Sequence, residues 1–107
     1  MKDKWQNAGV CGVDSGMIHI GDPCYLRDSK ENPYLDEKKM DKLWGSLKDA
    51  EQLHYALGHE GMGVLIGGFG GDGTYNVYIK KNKNGLVTEA KIVFDEKEEK
   101  WIKNKKM

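Results

Sequence analysis

The sequence predicts an α+β fold: a small twisted antiparallel β-sheet, or partial barrel, with a helical insertion at about residues 36–57. Three observations lead there. Tyr75, Val77 and Ile79 alternate with Thr74, Asn76 and Tyr78, the period of two that a strand requires. Asn84-Gly85 supplies a type I′ hairpin signal, after which Leu86, Thr88, Ala90, Ile92 and Phe94 share one face of a return strand. Between the β parts, Met40, Leu43, Trp44 and Leu47 recur at helical spacing behind Asp36, a fair N-cap.

The first β part is read as a hairpin. Val10 to Val13 makes a short strand, Asp14-Ser15-Gly16 a turn, and Met17 to Ile20 the second strand. Alternation puts Ile18 and Ile20 on one face and Met17 and His19 on the other. His19 is then either a half-exposed strand residue or a side chain lining a pocket. Trp5, a lone aromatic in a polar N-terminal stretch, is read as packing over a core edge. The helical insertion reads as two short helices or one kinked helix. Gly45-Ser46 interrupts it and Gly58 closes it, with the Met40–Trp44–Leu47 stripe facing the core. Gly61-Met62-Gly63 enters a buried strand, Val64 to Ile66, and Gly67 to Gly71 continues as a closely packed or bulged glycine strand. Residues 95–107 form a charged C-terminal helix or tail in which Trp101-Ile102 docks on the sheet or on another protomer.

Size and charge narrow the function. A chain of 107 residues supports one domain, residues 1–107, with one modest core. Seventeen basic residues balance seventeen acidic ones, so no basic stripe follows a nucleic-acid backbone and duplex DNA or RNA is not expected as a partner. Arg27 is the single arginine, hence the single planar, forked donor per chain. No apolar signal-peptide core follows Met1 and no apolar run nears eighteen residues, so the expectation is a cytoplasmic chain without a membrane partner. In that compartment Cys11 and Cys24 are expected as free thiols. His54, His59 and Glu60 lie close in sequence but lack metal-ligand spacing, and no metal or other cofactor is expected.

Two acidic turns carry the candidate site. Gly21-Asp22-Pro23-Cys24-Tyr25 and Gly71-Asp72-Gly73-Thr74-Tyr75 both follow apolar runs and both read Gly-Asp-small-small-Tyr. Asp accepts from nearby backbone N–H groups while Gly and Pro settle φ, and the Tyr is read as restarting extended chain. Tyr25 and Arg27, two apart on a strand, would project together as a ring and guanidinium clamp for a flat anion, or form an ordinary surface Tyr–Arg contact. Tyr25, Tyr75 and Tyr78 can stack on a ring, and Asp22 and Asp72 can accept from base or ribose. Thr74 with the backbone N–H groups of Gly71, Asp72 and Gly73 can donate to phosphate. The glycine run is neither a Walker loop nor a dinucleotide fingerprint, since no Gly-Lys-Ser/Thr ends it and no helix follows.

Val13-Asp14-Ser15-Gly16, Gly21-Asp22-Pro23-Cys24-Tyr25 and Gly70-Gly71-Asp72-Gly73-Thr74-Tyr75 with Val77-Tyr78 resemble the motifs of a widespread set of small bacterial and phage domains of unassigned function. The resemblance covers the two β parts and leaves out residues 28–60. More generally, the small Lys-rich chain is similar to phage counter-defence proteins of the anti-CBASS sponge kind. That similarity implies non-catalytic sequestration of a cyclic dinucleotide such as 3′,3′-cGAMP by a symmetric homo-oligomer in the host cytoplasm. Two alternatives stand beside it. Cys24 with His19 as base would make a small hydrolase, though no third orienting residue is evident. A protein-interaction module would dock a partner through the glycine-rich segment or Trp101-Ile102.

Overall fold

The structure, a computed structural model, describes residues 4–27, 32–54 and 61–95. In chain order its elements are β1 (Gln6–Val13), β2 (Ile18–Ile20), two 3₁₀ turns (Pro23–Leu26 and Pro33–Leu35), α1 (Glu37–Ser46), β3 (Ala50–Leu53), β4 (Gly63–Ile66), β5 (Gly73–Lys81) and β6 (Val87–Ile92). The chain divides into two compact units, one of Met1–Asp14 with Asp72–Met107, the other of Ser15–Gly71. The expected α+β class holds, built as two open three-stranded antiparallel sheets and one helix.

The unit built on the chain ends is a sheet of order β1-β5-β6. β5 and β6 form the expected meander, but the turn between them differs from the type I′ expectation. That turn needs positive φ at both central residues, and among the described residues only glycines have positive φ. Instead Gly85 N–H donates to the Asn82 carbonyl (3.0 Å), and the Asn82 side chain accepts from the N–H groups of Asn84 (2.9 Å) and Leu86 (3.1 Å). Asn82 therefore organises the loop, and Gly85 at φ 83° takes its left-handed position. β1 joins the other side of β5, with a bulge between Asn7 and Gly9 held by the Asn7 carboxamide, which accepts from Gly9 N–H at 2.8 Å and donates to Asn76 at 3.1 Å. Tyr78 on the central strand is 1% exposed and forms this unit's core with Val93, capped by Trp5. Trp5 thus packs over a core edge as its sequence position suggested, with Lys80 and Lys91 ammonium groups 4.7 and 4.3 Å from its ring centroid.

The central unit is a sheet of order β2-β4-β3 with α1 beside it. Three expectations are corrected here. β1 and β2 do not form a hairpin: each pairs with a strand from later in the chain, β1 with β5 and β2 with β4. The insertion is not helical to residue 57. α1 stops at Ser46, Leu47 turns to ψ 124°, and β3 adds to the free edge of β4. Burying Leu65 on a central strand requires neighbours on both sides, and that ladder outweighs the weak helical signal after Gly45. Third, the glycine segment after Ile66 leaves the sheet as bends, with Gly68, Gly70 and Gly71 all at positive φ.

Asp36 does cap α1, its carboxylate accepting from Lys38 and Lys39 N–H at 2.9 and 3.2 Å. Met40, Leu43 and Leu47 pack on a core of Met17, Leu53, Met62 and Leu65, whereas Trp44 is 54% exposed. A ten-residue helix on a small sheet buries only a narrow stripe, and Trp44 falls outside it. Cys11 and Cys24 are free thiols. Among the described residues no helix is long and apolar enough to cross a membrane. Gly58, His59, Glu60 and the Trp101-Ile102 tail lie outside the described residues.

Candidate functional site

The central unit contains a cavity of about 270 Å³ lined by Ser15, Met17, His19, Tyr34, Met40 and Leu65. Four elements of local structure build it. Alternation along the chain into β2 puts Met17 and His19 on one face, as the sequence indicated, and both reach the cavity. Leu65 comes from β4, and Met40 from the first turns of α1. Tyr34 is placed by a 3₁₀ turn whose logic is entirely local. Asn32, only 8% exposed, caps it by accepting from Tyr34 N–H at 2.9 Å. Pro33 supplies the preset φ of the first position, and the Asn32 carboxamide also donates to the Leu26 carbonyl at 3.1 Å.

At one wall of the cavity His19 Nδ1 lies 2.5 Å from the Tyr34 hydroxyl, and the two rings meet edge to face at a centroid distance of 5.3 Å. Burial lowers the His19 pKa from its ordinary 6.5 and pushes the Tyr34 phenol up to about 12. Near neutral pH the imidazole is therefore uncharged and the phenol intact. A phenol donates more strongly than a neutral imidazole N–H, so we assign Tyr34 O–H as donor to Nδ1, which puts the ring proton on Nε2. Nε2 is buried and has no hydrogen-bond partner among the described residues. Two glycines make its seat. A Cβ on Gly21 or on Gly63 would stand 2.5 Å from Nε2, and the first would also come within 2.7 Å of the Met62 carbonyl oxygen. The ring fits against β2 and β4 only because neither position carries a side chain.

The residues singled out from the sequence divide between the two units. In the central unit, Asp22 caps the first 3₁₀ turn, accepting from Cys24 N–H at 2.9 Å. Tyr25 therefore does not restart a strand: it lies on that turn, partly buried against the core cluster, and Arg27 is its exposed, helical C-cap. The expected strand alternation of Tyr25 and Arg27 fails because Asp-Pro nucleates a helical turn. In the other unit Asp72 precedes β5, and Gly73, Thr74 and Tyr75 open that strand, Tyr75 meeting Phe94 edge to face at 5.1 Å. Gly71, at φ 96°, ends the central unit. Tyr78, expected as a stacking ring, is core.

The two acidic turns are thus unlike in form, one helical and one opening directly into a strand. The true counterpart of Asp22-Pro23 is Asn32-Pro33: both are capped by their own Asx side chain, both carry Pro at the start, and both deliver a Tyr. Asx-Pro followed by Tyr was the signal that could have found Tyr34. Ser15 and Tyr34 were not candidates on sequence, and Met40 was read only as core. Among the described residues no group of three or more His, Cys, Asp or Glu side chains is placed to hold a metal ion. No protein-family model, curated protein or solved structure matches the chain.

Proposed function

We propose that this protein binds a small nucleotide-type signal, such as the cyclic dinucleotide 3′,3′-cGAMP, and sequesters it without cleavage, in the counter-defence role implied by its general similarity to phage anti-CBASS sponge proteins. The observation that carries the reading is the cavity of the central unit, with apolar walls of Met17, Met40 and Leu65 and polar edges of Ser15, His19 and Tyr34. Mostly apolar concavities with a few placed polar groups are the usual form of small-molecule sites. Arg27, exposed in the same unit, is the candidate partner for phosphate. With formal charge zero the chain attracts anions weakly at long range, so a homo-oligomer that gathers several copies of Arg27 or Lys near each site fits the reading.

Sequestration is favoured over Cys–His hydrolysis because His19 makes a poor base for Cys24. Its Nδ1 is engaged by Tyr34, and Nε2 is buried with no hydrogen-bond partner among the described residues, the Cys24 thiol included. Isothermal titration against a panel of cyclic di- and trinucleotides tests the proposal, with ligand recovered intact after incubation as the expected result. Heat-free titrations across the panel would reject it, and turnover abolished by Cys24→Ala would replace it with the hydrolase. An interaction module is the second reading, favoured by Val10, Leu86 and Val87, each more than half exposed on the β1-β5-β6 sheet or its hairpin loop. Co-purification of a stoichiometric protein partner from host lysate would support that alternative.

A further inference from the structure

We propose that the cavity beside Tyr34 is a subsite for one flat, uncharged heteroaromatic ring with an N–H donor edge, a nucleobase bearing an amino group, while any phosphate stays outside. Taking the ring for a nucleobase rests on the sequestration reading; the rest comes from the walls. At about 270 Å³ the cavity falls just below the roughly 300–1,000 Å³ of pockets for drug-sized ligands, so it admits a single ring system and not a whole dinucleotide. Its lining of Ser15, Met17, His19, Tyr34, Met40 and Leu65 contains no Lys, Arg, Asp or Glu. An anion inside would be desolvated without a countercharge, which excludes phosphate from the interior. Two of the six residues are methionines, whose flexible, polarizable thioethers favour aromatic faces.

The polar edge sets the polarity of the ligand. A phenol is a stronger donor than a neutral imidazole N–H, and an imidazole nitrogen the stronger acceptor, so we assign the shared proton to Tyr34 O–H donating to His19 Nδ1, which leaves the phenol oxygen as an acceptor. Ser15 directs its hydroxyl proton towards the Met17 carbonyl oxygen, 3.4 Å away, and is likewise left as an acceptor. With the Tyr34 and Ser15 oxygens both left as acceptors, this edge selects rings that donate. His19 is the positioning residue here: as a neutral ring seated against the Gly21 and Gly63 backbones, it accepts at Nδ1 from the phenol.

The test uses the full chain with ¹³C-labelled methionine methyls and adenosine as probe. Stacking is expected to shift the Met17 and Met40 methyl resonances by ring current and to move Met62, which does not line the cavity, far less. N6,N6-dimethyladenosine, which lacks the donor, should bind about three- to tenfold more weakly, the usual worth of one lost hydrogen bond. Tyr34→Phe should narrow that preference, and Met40→Trp, which fills the space, should abolish the shifts; the analogue comparison on the unaltered protein decides the proposal by itself. Inorganic phosphate should leave Met17 and Met40 unmoved. Still methyls with adenosine, or equal binding of the dimethyl analogue, would overturn the subsite. Calorimetric binding of a cyclic dinucleotide that leaves Met17 and Met40 unmoved would overturn the subsite alone. Nucleoside shifts without binding of any cyclic nucleotide would uphold the subsite and remove the sequestration reading.

Discussion

Tyr78 and Tyr34 show how differently the two units use the same side chain. Tyr78 lies on β5, a strand paired on both sides, and is sealed at 1% exposure. Tyr34 lies on a 3₁₀ turn, is half-buried, and spends its hydroxyl on a histidine at the wall of a cavity. A ring on a central strand is enclosed by its neighbours' side chains, while a ring on a short turn is held from one side only. The long sheet therefore seals the ring at its centre while leaving Val10 and Val87 exposed. The short sheet, with strands of three to four residues, leaves space that α1 and the 3₁₀ turn only partly fill.

Core truncations give the largest effects and test whether the units are separable. Tyr78→Ala and Leu65→Ala should each cost about 2–5 kcal/mol in chemical denaturation. By hydrogen exchange the first should deprotect β1, β5 and β6, and the second β2, β3 and β4. Equal deprotection of both sheets by either variant would show one cooperative unit instead.

Gly63→Ala sharpens the contrast within the central unit. Its Cβ would stand 2.5 Å from His19 Nε2 and 2.9 Å from the Ile20 carbonyl oxygen, at a φ of 151°. We expect a loss of about 1–3 kcal/mol, as for an overfilled core, together with changed His19 imidazole nitrogen shifts as the bond to Tyr34 breaks. Gly12→Ala, with no atom within 4 Å of its Cβ, is the matched substitution in the other unit and should be much milder.

The His19–Tyr34 pair should also bound the stability of the central unit in pH. A histidine with a lowered folded pKa binds fewer protons folded than unfolded, so its contribution is full above 6.5 and is lost as pH falls from there through the folded value. Tyr34 acts in the opposite sense. Its raised pKa contributes stability below 10, lost as pH rises from 10 towards about 12. Thermal melts of wild type and Tyr34→Phe should diverge least in the alkaline window, where the variant lacks the ionising group.

The smallest expected effects are at the surface. Asp36→Ala removes the α1 cap and should cost about 1 kcal/mol. Glu89→Gln, breaking a 4.0 Å contact with Lys80, should cost less than about 1 kcal/mol. A reversal of that order would mean that the Lys80, Glu89 and Trp5 cluster acts as a network rather than as separate contacts.

Where the sequence was legible, its signals were local. The β5–β6 meander, the Asp36 cap, the Val64–Ile66 strand and the shared face of Met17 and His19 follow from periodicity and capping, which depend on near neighbours alone. One error came where a distant segment decided, and another turned on a single neighbouring residue. Residues 50–53 carry no strong strand signal and are extended because β4 lies beside them. The Asp22 turn looked like the Asp72 turn by residue type, but proline after Asp22 starts a helical turn and glycine after Asp72 starts a strand.

By itself the sequence determined the α+β class, the β5–β6 hairpin, the start of the helix and the position of His19 on the Met17 face of its strand. Each of these needs only dihedral preference and spacing. Tertiary structure alone decided that the strands divide into two sheets, that Tyr78 is core, and that His19 meets Tyr34 over Gly21 and Gly63. Those outcomes rest on contacts between residues far apart along the chain, and periodicity carries no information about which distant backbone will lie close enough to leave room for a ring.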